Sequence, residues 1–308
     1  MKRVMVGFLC LILVLSVMIL SGCSNNTIDN QGSGSGKKIS VYTSFYPMYD
    51  FTKKIGGDKI NLTNLVPAGT EPHDWEPTPS DMVNLEKADV LIYNGAGMEN
   101  WIDKVLNSIK NKKLITVETA KGLKLLDNSD KSEDLMYDPH VWLNSMLAKQ
   151  QMEAIKNALV TADPSNKDYY EKNYADNAKK LDDLDQEYKA TVAKFKSKDI
   201  VVAHQAFGYL CEAYGLKEVA IEGLTADSEP SPARMVEIVK FAKENNLKFI
   251  FFEELVSPKV AQAIAKEVGA ETAVLNPLEG LEEDDIKAGK DYFSVMRENL
   301  EVLKKALE

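Results

Sequence analysis

Three histidines are the residues of this 308-residue chain best suited to bind a metal ion. They are His73, His140 and His204, and the sequence contains no other histidine. They lie in the segments "PAGTEPHDWEPTPSD", "YDPHVWLN" and "DIVVAH". Imidazole is the commonest metal ligand among side chains, and three histidines far apart in sequence suit a Zn²⁺ site. One histidine alone is more often structural or solvated, so this hypothesis requires that all three meet.

A fourth ligand would complete a tetrahedral site. The segment "VLNPLEGL" follows the last predicted strand, and Glu279 is its acidic residue. A carboxylate at this position would offset the charge of a dication held by neutral imidazoles. On spacing alone, Glu279 is equally consistent with an ordinary exposed loop acid.

The elements that must position these residues alternate between strands and helices. The first half gives the strand segments "ISVYTSF", "INLTNLV", "DVLIYNG" and "KLITVET". The second half gives "DIVVAH", "EVAIEG", "KFIFFEE" and "TAVLNPL". This alternation predicts parallel sheets with helices on their faces. Ligands of open parallel sheets bind beyond the carboxyl ends of the strands, so the three histidines could reach one crevice.

Between the two halves, residues 165–196 carry a long polar pattern with an apolar stripe at helical spacing. A helix of about 30 residues spans about 45 Å, which is long enough to run along two lobes. We therefore predict an α/β fold of two parallel-sheet lobes joined by one long rigid helix, with the metal site in the cleft between them. The predicted ranges are 39–162 for the first lobe, 163–197 for the linking helix and 198–308 for the second lobe.

The first 22 residues predict a secretory signal, because Lys2 and Arg3 precede an apolar stretch. The ending "LSGC" resembles a bacterial lipobox, which implies cleavage before Cys23 and lipidation of its thiol. An uncleaved anchor is the alternative, since about 17 apolar residues is near the lower limit for a membrane span. Residues 23–38 predict a lipidated cysteine followed by a Gly/Ser-rich flexible tether. The expected location is the extracytoplasmic face of the cell membrane.

Composition narrows the partners. The formal net charge of −10 and the pI of about 5.1 argue against nucleic acid as a partner. Cys10 leaves with the signal and Cys23 would carry lipid, so Cys211 remains alone and cannot form an internal disulfide. We expect a monomer stabilised by apolar burial.

Several acids beside the histidines have two interpretations. Asp74 and Asp138 could accept a hydrogen bond from an imidazole N–H, or could cap a local turn. Glu222 and Glu254 end predicted strands and could line the cleft. The segment 122–138 breaks the alternating pattern and predicts an exposed loop. Ser80 predicts the N-cap of a helix, and residues 144–160 predict another helix.

The four histidine and glutamate segments, in this order, resemble the metal-binding receptor lipoproteins of bacterial ABC importers for zinc and manganese. The resemblance covers residues 39–308. It implies two α/β lobes bridged by one rigid helix, with His73, His140, His204 and Glu279 as the metal ligands. It also implies delivery of the metal to a membrane permease, with no reaction catalysed.

The donor set bears on which metal is bound. Three nitrogens and one oxygen favour Zn²⁺, whereas Mn²⁺ prefers oxygen-rich sites. Manganese receptors of the family are similar but carry a carboxylate in place of the third histidine and an aspartate as the fourth ligand. A manganese receptor remains the alternative. Many zinc receptors also have a histidine-rich loop, and here "LLDNSDKSEDLMYD" contains no histidine.

Two functions of other classes compete with metal delivery. Three histidines with an open fourth position could form a zinc hydrolase, but the sequence has no H-E-x-x-H segment and no separate general base. A surface adhesin lipoprotein is the other alternative, since proteins resembling this family are sometimes labelled so. We expect a protein that is not an enzyme.

Overall fold

The computed structural model describes residues 37–128, 135–225 and 230–308. The predicted signal, Cys23 and most of the tether lie outside these residues. Residues 38–308 form one compact unit. Within the described ranges, no helix has both the length and the apolar character needed to cross a bilayer.

The first lobe contains a four-stranded parallel sheet in the order β2-β1-β3-β4. Val41 and Ile92 are fully buried on its central strands. The elements are β1 (Ile39–Thr43), α1 (Tyr46–Gly56), β2 (Ile60–Asn64), α2 (Pro79–Leu85), β3 (Val90–Tyr93), α3 (Ile102–Ser108) and β4 (Ile115–Glu118).

The second lobe repeats this arrangement, with a parallel sheet in the order β6-β5-β7-β8. Its elements are β5 (Asp199–Val202), α6 (Gly208–Tyr214), β6 (Lys217–Ala220), α7 (Pro232–Glu244), β7 (Phe249–Phe252), α8 (Lys259–Val268), β8 (Glu271–Val274), α9 (Glu283–Lys287) and α10 (Tyr292–Leu307). The two sheets therefore share one strand order.

Two long helices lie between the sheets in the chain, α4 (Ser145–Ala162) and α5 (Lys167–Val192). The 26 residues of α5 span about 39 Å. Its predicted apolar stripe is buried, apart from half-buried Tyr174. The structure thus confirms the predicted class of two α/β lobes joined by a long helix.

The last helix, α10, returns to pack against α5 and the first lobe. The rings of Phe51 and Tyr292 meet edge to face, with centroids 4.9 Å apart. The Tyr188 hydroxyl donates to the Met296 carbonyl at 2.6 Å. One hydrophobic core extends through these helices and reaches strands of both sheets. Hinge bending between the lobes would have to disrupt this core.

The N-terminus of α2 differs from the prediction. Ser80 lies inside the helix, and Thr78 is the N-cap. The Asp81 carboxylate accepts from the Thr78 backbone N–H at 2.8 Å, and the Thr78 hydroxyl accepts from the Asp81 N–H. This reciprocal capping box, with Pro79 at the first helical position, favours Thr78 over Ser80.

Two other predicted boundaries are also refined. The long helix begins only after a 3₁₀ turn at Pro164–Asn166, and its last regular residue is Val192 rather than one near 196. Of the predicted loop 122–138, residues 129–134 lie outside the described part. Next to that gap, Asp127 and Tyr137 form an isolated antiparallel bridge, and Met136 is 68% exposed.

Candidate metal centre

The structure brings the four predicted ligands together. One donor atom from each of His73, His140, His204 and Glu279 can be chosen so that all four lie within 4.8 Å of one another. Glu279 Oε1 lies 2.8 Å from His140 Nε2, 3.3 Å from His73 Nε2 and 3.6 Å from His204 Nε2. All four side chains are buried. Three imidazole nitrogens and one carboxylate oxygen are the donor set of a closed tetrahedral Zn²⁺ site.

His73 lies in the loop that follows β2. Its backbone N–H donates to Glu71 Oε1 at 3.1 Å, and its carbonyl accepts from Asn100 Nδ2 at 3.2 Å. Asn100 belongs to the loop after β3, which is the neighbour of β1 in the first sheet. The main chain of His73 is therefore fixed from two sides.

His140 immediately precedes a 3₁₀ turn at Val141–Leu143. Asp138 Oδ1 accepts from both the backbone N–H of His140, at 2.9 Å, and its ring Nδ1, at 2.7 Å. Both interpretations of Asp138 are therefore observed, since one oxygen accepts from the imidazole and also closes a local turn through the backbone N–H of His140. A Cβ at Gly208 would lie 2.6 Å from Asp138 Oδ2, so glycine leaves room for this carboxylate. Occupation of Nδ1 directs Nε2 at the common centre.

His204 lies two residues beyond β5, and its Nδ1 donates to Glu253 Oε1. The sheet register accounts for this pair. Val202 of β5 pairs with Phe251 of β7, and two residues further along each strand bring His204 beside Glu253. This contact gives the third predicted ligand a fixed orientation as well.

The sequence alone does not identify Glu253 as a partner of His204. It predicts instead that the neighbouring Glu254 could line the cleft. Glu254 is exposed and accepts from Asn276 Nδ2 at 2.9 Å instead. Side chains in a strand alternate between two faces, so Glu253 continues the face of Phe251. Ile250 on the opposite face is fully buried as well, so alternation within "FIFFEE" does not separate Glu253 from Glu254. Of the two other acids considered, Asp74 is exposed and Glu222 is half-buried.

The loop that carries Glu279 is held tightly. Leu278 has a left-handed backbone with φ of 61°, which is uncommon for a residue other than glycine. Its N–H donates to Asn276 Oδ1 at 2.7 Å. Asn299 of α10 in turn accepts from the Asn276 N–H at 2.9 Å and donates to its carbonyl at 2.7 Å. A short, fully bonded turn therefore presents the carboxylate.

The charges of the cluster are strongly coupled. Burial alone would lower the pKa of the His140 imidazole, but Asp138 and Glu279 outweigh it and raise that pKa to about 9. Burial would also lower the pKa of the His204 imidazole, but the charges of Glu253 and Glu279 outweigh it and raise that pKa to about 10. Burial would raise the pKa of Glu279, but the imidazoles hold it well below its usual range. In the metal-free protein, protons thus balance the buried acids.

Acidic groups also surround the cluster. Among the described residues, one oxygen each of Glu71, Glu253 and Glu279 is buried without a hydrogen-bond partner. Burial and the charge of Glu279 raise the pKa of Glu71 to about 8. A buried acceptor without a donor is costly, and a bound cation would relieve that cost. The residues present therefore fit a dication.

Comparison with known proteins gives one consistent result. The family model described as "Zinc-uptake complex component A periplasmic" matches residues 41–306. The chain is 41% identical over 300 residues to the high-affinity zinc uptake system protein ZnuA of Bacillus subtilis, covering 94% of each chain. It is 39% identical to the zinc-binding lipoprotein AdcA of Streptococcus pneumoniae, covering 96% of this chain but 60% of that protein.

Solved structures agree with the sequence comparisons. The Zn(II)-bound ZnuA-like domain of the pneumococcal AdcA has a TM-score of 0.77 at 41% identity, covering 88% of this chain and 99% of that domain. The laminin-binding protein Lmb of Streptococcus agalactiae has a TM-score of 0.81 at 36% identity, covering 88% and 100%. Lmb is described as a bifunctional protein with adhesin and metal-transporting activity. By the match over residues 41–306 and these identities, the chain belongs to the family of the periplasmic zinc-uptake complex component A.

Proposed function

We propose that this protein is an extracytoplasmic zinc receptor that delivers Zn²⁺ to an ABC-type importer in the membrane. The observation that carries the proposal is the set of four buried donor atoms within 4.8 Å of one another, contributed by four separate loops. In this proposal His73, His140, His204 and Glu279 are the metal ligands. The names of the relatives, a zinc uptake system protein and a zinc-binding lipoprotein, support the same cargo.

Zinc is favoured over manganese by the chemistry of the donors. Borderline Zn²⁺ accepts three imidazoles and one carboxylate, whereas Mn²⁺ prefers more oxygen ligands. Burial of all four side chains leaves little room for the extra waters of an octahedral ion. The donor set therefore supports a manganese receptor less well than a zinc receptor.

A receptor explains the site better than an enzyme does. Catalytic zinc sites keep one position open for a water or substrate, whereas four protein ligands fill a tetrahedron. The buried acids nearby are engaged as acceptors: Asp138 and Glu253 receive imidazole N–H groups. Adhesion remains a secondary candidate, because the similar Lmb protein of Streptococcus agalactiae is described as having adhesin activity.

The proposal extends to the membrane and the permease. Lipidation at Cys23 would hold the protein on the extracytoplasmic face, with residues 23–38 as a tether between lipid and receptor. The receptor would act as a monomer, with lobes at 39–162 and 198–308 and the linking helix at 163–197. The "LSGC" segment and the lipoprotein name of the pneumococcal relative support this arrangement.

Elemental analysis of the purified mature protein tests the cargo. We expect one zinc per chain, and we expect excess Mn²⁺ to leave that zinc in place during dialysis. Retention of manganese in the presence of equal zinc would support the manganese receptor instead. Ester or peptide hydrolysis that depends on the bound metal would support the hydrolase.

Replacing Glu253 by glutamine tests how the ligands are oriented. The neutral amide is a weaker acceptor for His204 Nδ1, so we expect zinc affinity to fall by about tenfold, within the range typical of such outer contacts. Chelator competition would measure the change. Glu218→Gln is the matched control, because that half-buried acid of the same lobe accepts from the Phe207 N–H at 2.8 Å instead of from a ligand. Equal losses in the two variants would mean that charge, rather than orientation, is responsible.

A further inference from the structure

One indole N–H joins the two lobes at the metal centre. Trp142 belongs to the first lobe, is fully buried and lies two residues after His140. Its Nε1 donates to the carbonyl oxygen of Pro277 at 2.7 Å. Pro277 belongs to the second lobe and lies two residues before Glu279. This hydrogen bond therefore connects two loops that each carry a proposed ligand.

The donor itself is held in place. The Tyr292 hydroxyl donates to the Trp142 carbonyl at 2.7 Å. The Trp142 ring packs against Phe45, with centroids 5.0 Å apart, and against the His140 ring at 5.4 Å. Contacts on the main chain and on the ring leave the indole little freedom, so its N–H points in a defined direction.

The acceptor loop transmits any displacement to the ligand. The left-handed Leu278 stands between Pro277 and Glu279, and its N–H is bonded to Asn276. A turn with this backbone cannot bend at Leu278 without losing that bond. Movement of the Pro277 carbonyl would therefore move the Glu279 carboxylate with it.

We propose that Trp142 is a positioning residue, which holds the Glu279 carboxylate against His140 across the two lobes and so sets the metal geometry. The inference rests on the proposed zinc-binding function and deepens it. Trp142 is not one of the four proposed ligands. Its role is to keep the His140 and Glu279 donor atoms, now 2.8 Å apart, at a separation that one ion can bridge.

The test is Trp142→Phe, which keeps an aromatic ring and removes the N–H. We expect zinc affinity to fall by about 10- to 100-fold, the range for outer contacts of metal ligands. We also expect the visible absorption bands of the Co²⁺-substituted protein to lose intensity and shift, since they report ligand geometry. Tyr188→Phe is the matched control, because it also removes one buried aromatic donor to a backbone carbonyl, that of Met296.

The comparison separates positioning from stability. The melting temperature of the metal-free protein should fall in both variants, whereas zinc affinity and the Co²⁺ spectrum should change only in Trp142→Phe. Unchanged affinity and spectrum in that variant, with wild-type protein binding zinc, would overturn the inference and leave the proposed function intact. If the wild-type protein does not bind zinc, the proposed function itself is overturned. Should Trp142→Phe not fold, Tyr292→Phe is expected to shift the spectrum in the same direction by a smaller amount, and no shift would overturn the inference.

Discussion

Replacing His140 by alanine is expected to weaken zinc binding by more than about 100-fold. Loss of an outer contact alone costs about 10- to 100-fold, and His140 is one of four direct ligands in the proposed site. Its Nε2 lies closer to Glu279 than either of the other histidines does. Isothermal titration calorimetry with a competing chelator would measure the change. An unchanged dissociation constant would exclude His140 as a ligand.

The same variant should also be less stable without metal. The turn that follows His140 is part of the core, because Val141, Trp142 and Leu143 are fully buried. Removing the imidazole leaves Asp138 and Glu279 as buried carboxylates without their shared partner. Breaking a buried ion pair on one side costs about 3–5 kcal/mol. Denaturant unfolding of the metal-free proteins at pH 6.5 would measure the loss.

The outcome at high pH provides a control for this assignment. The pKa of His140 is about 9 in the folded protein, so the imidazole is neutral near pH 10 and no longer forms an ion pair. The stability difference between wild type and His140→Ala should therefore narrow between pH 8 and pH 10. A difference that stays constant over this range would mean that packing, rather than charge, is responsible.

Zinc affinity should rise steeply with pH up to about pH 9. Zinc binds neutral imidazole, so each protonated ligand must release its proton on binding. From sequence alone, the ordinary histidine pKa places the loss of affinity below about pH 6.5. The buried acids raise the pKa of His140 to about 9 and that of His204 to about 10, so the loss begins at higher pH. Below pH 8 we expect the dissociation constant for zinc to fall by roughly one to two orders of magnitude for each unit by which the pH is raised.

Stability of the metal-free protein should change in the opposite direction. A folded-state pKa above the unfolded value of about 6.5 contributes stability that is complete below pH 6.5 and is lost as the pH rises through 9 and 10. The depressed pKa of Glu279 contributes stability that is lost as the pH falls below about 4.5. The pKa of Glu71 is raised to about 8, so its burial costs stability as the pH rises above about 4.5, and the metal-free protein should be most stable near pH 4.5.

Two measurements check this pair of opposite trends. Melting temperatures of metal-free and zinc-loaded protein between pH 5.5 and 8.5 should diverge as the pH rises. Calorimetry at pH 7 in buffers of different ionisation enthalpy should show the release of about two protons per zinc. A flat affinity profile from pH 5.5 to 8 would contradict the raised histidine pKa values.

The sequence predicts the fold because the relevant signals are local. Strand and helix patterns such as "DVLIYNG" and the stripe of α5 depend on residues close in sequence, and the structure reproduces them. The positions of His73 and His204 follow from the general rule for sheet ends. Glu279 could not be separated from an exposed acid, because its burial depends on the Asn276 and Asn299 contacts, which join segments far apart in sequence.

The partners of the histidines were harder to predict for the same reason. Glu253 reaches His204 through the register between β5 and β7, and nothing within one strand fixes that register. The bond between Trp142 and Pro277 joins residues 135 positions apart. Such contacts depend on how the lobes pack, and periodicity within a segment carries no information on this.

The return of α10 across α5 has a consequence for modularity. Tyr292 and Leu300, near the end of the chain, are buried in the same core as Val41 of the first strand. A lobe expressed alone would leave its part of this core facing water, and a lobe exchanged between two relatives would meet the core with non-matching side chains. The unit that folds is therefore the whole of residues 38–308. Recombination between the lobes of two relatives should seldom yield a folded protein.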